Sequence, residues 1–300
     1  MNERLLLMHQ VMLGDRRRLA AYDRALRRTV SRGDVVVDVG AGLLPLTLLA
    51  LQHGASRVYA LEGDAETATL AREIAARNGL EDRVTVIQGD ARLVRLPEKA
   101  DVLVSEMMGN LGPEEEMAAI VAAVTRHNLK PGARVVPERL ITRVQAVELA
   151  AEGWGVWHEP VAGYSLSAVS EYAPGGAQLH FFNRKPRLLS EPATIVDSRM
   201  GDADRVRSGT LSLEVTKVGT LHAVIGYFKA TLAPGIELSN FPSYAGCNWA
   251  VCVWPMQPTD VVPGDDIRVE VHRPHDVRVA TDWRLNCGLA RKAEPYLPAR

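Results

Sequence analysis

The sequence predicts an α/β protein: a parallel sheet covered by helices over residues 31–137, then an antiparallel β domain over 138–300. Three observations lead there. Short β-branched runs alternate with helical periods as far as Asn128. A glycine-rich turn follows the first of those runs, where a strand passes into a helix. Beyond Lys130-Pro131-Gly132 the β-branched runs follow one another with only turn residues between them.

Taken in order, residues 3–29 carry a helical period, with Leu5, Met8, His9, Met12 and Leu13 on one side and arginines on others. This N-terminal segment, 1–30, reads as a separate cover. Val35 to Val39 is a β-branched run ended by Gly40-Ala41-Gly42, and a helix follows to about His53. Arg57 to Leu61 reads as a second strand, Glu66 to Asn78 as a helix, Arg83 to Ile87 as a third strand and Ala100 to Ser105 as a fourth. Pro113 at a first-turn position opens a helix over Glu114 to Asn128. Strand alternating with helix predicts parallel pairing with both faces covered. Ile141 to Val147, Thr210 to Lys217, His222 to Thr231 and Ile267 to Val271 predict an antiparallel sandwich or barrel. The segment 152–187 is long, irregular and aromatic, and reads as a partner-binding arm.

Composition bounds the function. Apolar residues make up 47% and charged residues 24%, as in ordinary globular proteins, and 300 residues suffice for two cores. A net charge of -1 lacks the basic excess from which a nucleic-acid or membrane-surface binder gains. No apolar stretch has membrane length, and the charged start does not read as a signal peptide. Cys247, Cys252 and Cys287 have no metal-type spacing and cannot all pair, so the expectation is reduced thiols and a cytoplasmic protein. His272-Arg273-Pro274-His275 is a turn, and no metal site is expected.

Asp38-Val39-Gly40-Ala41-Gly42 lies at a strand-to-helix turn, where backbone approaches a ligand with no Cβ in the way. Glu62 closes the next strand about twenty residues on, where a carboxylate accepts both hydroxyls of a ribose. Leu44 and Pro45 stand where a dinucleotide fingerprint has its third glycine, which disfavours pyrophosphate and hydride chemistry; S-adenosylmethionine carries no phosphate. Asp90, after the third strand, is expected to accept from the adenine amino group.

The fourth strand ends in Ser105-Glu106-Met107-Met108-Gly109, with Glu114, Glu115 and Glu116 a few residues on. Functional groups of an open parallel sheet gather at the carboxyl ends of its strands. Two carboxylates can grip both edges of a guanidinium, hold one nitrogen toward a sulfonium methyl and oppose the repulsion between two cations. No metal or covalent nucleophile is needed.

This loop resembles the double-glutamate loop of the protein arginine N-methyltransferases, a family of class I S-adenosylmethionine-dependent enzymes. His9-x-x-Met12-Leu13-x-Asp15-x-x-Arg18-x-x-x-Tyr22 resembles the family's cofactor-covering helix. Val37-Asp38-Val39-Gly40-x-Gly42 resembles its nucleotide motif, and Leu96-Pro97-Glu98-Lys99-x-Asp101 its approach to the loop. Gly163 to Ser167, His222-Ala223-Val224 with Tyr227-Phe228, and Pro263-Gly264-Asp265 are similar to its barrel. The resemblance implies a Rossmann-like domain, a β-barrel substrate domain and a head-to-tail homodimer through the arm. It implies Glu106 and Glu115 as the catalytic pair. His9, Arg18, Asp38, Gly40, Gly42, Glu62 and Asp90 would hold S-adenosylmethionine, Arg18 through the methionine carboxylate. Met12, Asp15, Met108, Asn248 and Trp249 would face the substrate, with Cys247-Asn248-Trp249 falling where the family has Thr-His-Trp.

Four departures bear on the substrate. None of the eight residues before His9 is aromatic, where the family carries an aromatic capping motif. Asn248 replaces a histidine that would pair with Asp15. Leu43-Leu44 replaces Thr-Gly, and Arg92 stands where the family has a glutamate near the adenine. With the near-neutral charge, these predict a divergent bacterial member, a natural-product biosynthetic enzyme that methylates free L-arginine or another small guanidino compound. Other readings are C-, O- or other N-methylation of a natural product, a protein or peptide arginine methyltransferase, and a catalytically silent partner subunit.

Overall fold

The computed structural model describes residues 3–172, 176–201, 209–242, 248–273 and 280–291. Cys247 and His275, named above, lie outside them.

The N-terminal segment is two helices, α1 (Glu3–Gly14) and α2 (Arg16–Thr29). Asp15 separates them because its side chain accepts the Arg18 amide and caps α2. One side of α2, Ala21, Tyr22, Ala25 and Leu26, is fully buried in the main core. For Leu26 that burial contributes about 1.5–3 kcal/mol. Then come β1 (Val35–Val39), α3 (Pro45–Gln52), β2 (Arg57–Glu62), α4 (Ala65–Arg77), β3 (Val84–Gln88), β4 (Ala100–Ser105), α5 (Met117–Asn128) and β5 (Leu129–Val136). The five strands are parallel in the order β3-β2-β1-β4-β5. Strand order reverses between β1 and β4, so a crevice opens at their carboxyl ends, the place where such sheets bind ligands.

Two local expectations are corrected. Pro113–Glu115 form a separate 3-10 turn, and Glu116 takes a left-handed conformation (φ 54°) before α5 begins at Met117. β5 runs through Lys130-Pro131-Gly132, because the ladder slips there: Ala100 pairs with Leu129 but Val102 with Arg134. The bulge leaves the proline without a ladder bond to make.

The second half contains β6 (Arg139–Glu148), β7 (Gln178–His180), β8 (Arg187–Leu188), β9 (Ala193–Arg199), β10 (Gly209–Glu214), β11 (Gly219–Ala233), β12 (Ile236–Ser239), β13 (Val251–Val261), β14 (Asp266–His272) and β15 (Arg284–Ala290). They form two antiparallel sheets, one of seven strands around β11 and one of three in the order β10-β14-β15. The sheets share a core of Val144, Val224, Trp254, Ile267 and Trp283, and the described ladders do not close into a barrel. In the 152–187 segment, Trp154 is buried against Val147 and Ile225 of its own domain. Tyr164, Tyr172 and Phe181 are exposed. Phe228, Leu232 and Leu238 join the core of the parallel-sheet domain, so the two halves pack as one body. Among the described residues no helix is long and apolar enough to cross a membrane.

Candidate active site

A cavity of about 390 Å³ opens at the switch between β1 and β4, within the range of small-ligand sites. Its floor is the Gly40–Gly42 turn with Leu43 and Pro45, one side is Glu62, Gly63, Asp64 and Thr67, and its lid is α1 and the start of α2. Glu106, Met107 and Glu115 form the wall toward the β domain.

The floor has to be glycine. Gly40 and Gly42 have φ of 74° and 53°, where a side chain is strained. A Cβ on Gly40 would also lie 2.7 Å from Cγ of Met107, and one on Gly42 would lie 3.2 Å from Cε1 of His9. The lid and the glutamate loop therefore rest directly on this turn. Leu44 completes it in the left-handed conformation (φ 70°) and caps α3. Its side chain is fully buried in a small core with Ala41, Ala60 and Ala71, turned away from the cavity. Leu44 does not block the pocket, and Leu43 is only one part of its lining.

Glu62 accepts the Gly42 amide (2.8 Å) and the Asp64 amide (2.8 Å) and still lines the cavity. His9 is buried over the turn; burial lowers its pKa, which Glu62 and Asp64 partly offset, so the ring is neutral. Its Nε2 is buried and has no hydrogen-bond partner in the protein. Met12 also lines the cavity.

Arg18 occupies the centre. Its guanidinium donates to Oε2 of Glu106 at 2.6 Å and to the Met12 carbonyl, and lies 5.2 Å from the Trp249 ring centroid. Glu106 also accepts the Met108 amide (3.2 Å). Burial raises the Glu106 pKa, Arg18 opposes the rise and Glu115 adds to it. Burial and the neighbouring Glu114 likewise raise Glu115. Both carboxyls line one cavity, where burial disfavours their charged form and Arg18 offsets this for Glu106 alone.

The β domain holds the loop between them by its carbonyls. Trp249 Nε1 donates to Met108 O (2.7 Å), Asn240 to Asn110 O (2.7 Å) and Thr142 to Leu111 O (2.6 Å). Trp249 packs edge-on against Phe228.

Six expected positions lie outside the cavity lining, among them Asp15, which caps α2, and Trp249, which holds the Met108 carbonyl. Asp38 is fully buried beneath the turn, bonded to Thr47 (2.7 Å) and pushed up to about 7 by burial, and does not line the cavity. Asp90 is taken by Arg92 two residues on, at 2.8 Å and 3.0 Å, and is absent from the lining. The Met108 side chain belongs to the core, because loop alternation turns Met107 to the cavity instead. Asn248 reaches Asp15 through its backbone amide (3.2 Å), while its side chain donates to Val11 O (2.8 Å) and ties down α1. Tyr22 of the covering-helix motif also lines the cavity, as do Met107, Leu19, Asp64 and Thr67, to which sequence reasoning gave no role. Adjacency to Glu106 is the signal that could have found Met107.

Comparison with known proteins agrees with this geometry. Residues 8–146 match the family model described as the TRM5/TYW2 methyltransferase domain. The chain is 37% identical over 132 residues to a probable protein arginine N-methyltransferase 6 of Arabidopsis thaliana, covering 43% of this chain and 30% of that protein. It is 29% identical over 306 residues to PRMT10 of Oryza sativa subsp. japonica, covering 88% and 80%. It superposes with a TM-score of 0.77 on the PRMT1 enzyme-prozyme heterotetrameric complex of Trypanosoma brucei with AdoHcy, at 24% identity over 95% and 93%. The fold is shared with this solved structure, and the relatives that the chain resembles are named protein arginine N-methyltransferases.

Proposed function

We propose that the protein transfers the methyl group of S-adenosylmethionine to a guanidinium nitrogen, with free L-arginine or a small guanidino compound as acceptor. The observation that carries this is the meeting of Glu106 and Glu115 in one cavity with the Gly40–Gly42 turn and Glu62. The residues fit the cofactor: Glu62 keeps acceptor capacity for ribose hydroxyls, and the glycines leave room. Bound there, S-adenosylmethionine supplies the methyl group.

The chain's own residues do the rest. Arg18 already demonstrates how Glu106 holds a guanidinium edge. When Arg18 turns to a ligand carboxylate, Glu106 is left to accept from the substrate. Glu115 accepts from the other edge, and the pair fixes the flat cation so that one nitrogen faces the cavity. Two carboxylates in a partly dry site enrich that nitrogen in electron density, and one of them accepts the proton that the nitrogen loses. Arg18, stacked near Trp249, keeps the charge balance of the wall.

The near-neutral chain and the loss of the loop histidine at Asn248 favour a small acceptor over a cationic protein tail. Protein arginine is the second reading, favoured by the names of the relatives. The exposed Tyr164, Tyr172 and Phe181 of the 152–187 segment support a homodimer through that arm. The test is methyl-labelled S-adenosylmethionine with free arginine, a guanidino panel and an arginine-rich peptide. Label on small guanidines is expected; label on the peptide alone selects the second reading. No label on any acceptor defeats both and leaves a silent partner subunit or a different acceptor.

A further inference from the structure

Between the two glutamates of the proposed grip lies a third. Glu114 is 1% exposed, beneath the loop rather than facing the cavity. Its Oε1 accepts the Leu111 amide at 2.6 Å, and its Oε2 is buried without a partner. The loop is wrapped around this carboxyl. Gly109 and Gly112 exchange backbone hydrogen bonds (3.2 and 3.1 Å), and a Cβ on Gly109 would collide with Glu114 Oε2.

The loop is therefore tied from two sides. Trp249, Asn240 and Thr142 pull its carbonyls toward the β domain, and Glu114 alone among these side chains holds an inward-facing amide. Leu111 sits midway between Glu106 and Glu115, so the curl that Glu114 enforces sets how the two ends of the loop meet. The Leu111 amide is the best of the backbone amides, with those of Gly112 and Glu114 itself, that offset the cost of burying this carboxyl. Burial pushes Glu114, Glu115 and Cys252 up, and the Glu114 charge adds to the rise of Glu115 on its own turn and Cys252 on β13. Arg273, which donates to Pro113 O at 3.4 Å, pulls Glu114 the other way.

We infer that Glu114 is a positioning residue for methyl transfer: its grip on the Leu111 amide from below fixes the curl that presents Glu115 opposite Glu106. This rests on the function proposed above. Glutamine keeps an acceptor for the amide, and leucine fills the space without one.

The experiment compares Glu114→Gln and Glu114→Leu by kcat and KM on the acceptor that the wild type uses. S-adenosylhomocysteine affinity by calorimetry and hydrogen exchange of residues 106–116 are measured alongside. Glu114→Gln is expected to hold kcat within about threefold of wild type. Glu114→Leu is expected to lose about 100-fold in kcat, with cofactor affinity unchanged and faster exchange at the Leu111 amide. Wild-type kcat in Glu114→Leu would overturn the inference. So would a cofactor affinity that falls in step with kcat, which marks general unfolding. Equal losses in both variants would assign the effect to the charge rather than to the grip, and overturn it as well. If the wild type methylates no guanidine, the function reading falls separately. The exchange pattern then decides the positioning claim by itself: fast in Glu114→Leu and slow in Glu114→Gln supports it, and no difference refutes it.

Discussion

The two long walls of the cavity are built from opposite materials. The Gly40–Gly42 wall is bare backbone, held by positive-φ turns, by the buried Leu44 and by Glu62 on the Gly42 amide. The Glu106–Glu115 wall is charge, and burial works against ionisation at each end of it. The first wall is stable because its backbone amides are hydrogen-bonded, Gly40 and Ala41 to Leu61 O and Gly42 to Glu62. The second stays in place because another domain holds its carbonyls and Arg18 supplies the opposite charge. Binding surface is thus placed on the stiff wall, and chemistry on the wall whose groups become most stable when a cation enters.

The sharpest test of the contrast is the charged wall. Glu106→Gln and Glu115→Gln should each lower kcat by about 10³-fold, near 4 kcal/mol, while leaving S-adenosylhomocysteine affinity intact by calorimetry. A Glu115→Gln enzyme with normal turnover would leave Glu106 as a lone general base and the paired grip would be wrong. Next is the backbone wall. Leu44→Ala empties a fully buried site and should cost about 3 kcal/mol of unfolding free energy in a denaturant titration. Its turnover per folded molecule should hold, and loss of turnover without loss of stability would erase the distinction between the walls.

A smaller effect follows from pH. The grip requires carboxylates, and both glutamates are raised above the ordinary value of 4.5, so the ionised form is lost sooner as pH falls. The acid limb of kcat/KM, which reports the free enzyme, should therefore inflect above 4.5, with the rate constant then falling about tenfold per pH unit. An inflection at or below that value would mean that neither glutamate must be charged. The smallest effect concerns the tie between lid and β domain. Asn248→Ala removes the bond to Val11 O but keeps the backbone bond to Asp15, so about 1 kcal/mol is expected, read as weaker cofactor binding. No change would show that α1 closes without it.

The elements that were legible had one dominant local signal. β1 reads as a β-branched run, the turn after it as glycine, and α4 as a helix opened by the Asp64 cap on Thr67. β5 was missed because Pro131-Gly132 looks like a turn until the bulge opposite Ala100–Val102 accommodates it. β13 was missed because Pro255 and Pro258 interrupt its pattern, and its pairing with β11 slips between Leu221 and Ala223 to receive them. At the site, Glu106 and Glu115 could be named from their loop. The separation of Asp90 from the cavity could have been suspected from Arg92 two residues away. The burial of Glu114 could not, since three consecutive glutamates look alike until a left-handed residue, Glu116, sends them in different directions.

By itself the sequence determined the parallel sheet, the glycine turn at its switch point and the residues that carry charge there, because each is set by backbone sterics or by side-chain chemistry along a short stretch. Only the tertiary structure decided that Glu114 is buried beneath the loop, which methionine lines the cavity, and that Arg18 rests on Glu106. Those outcomes depend on desolvation and on hydrogen bonds from residues more than a hundred positions away, and no local pattern records them.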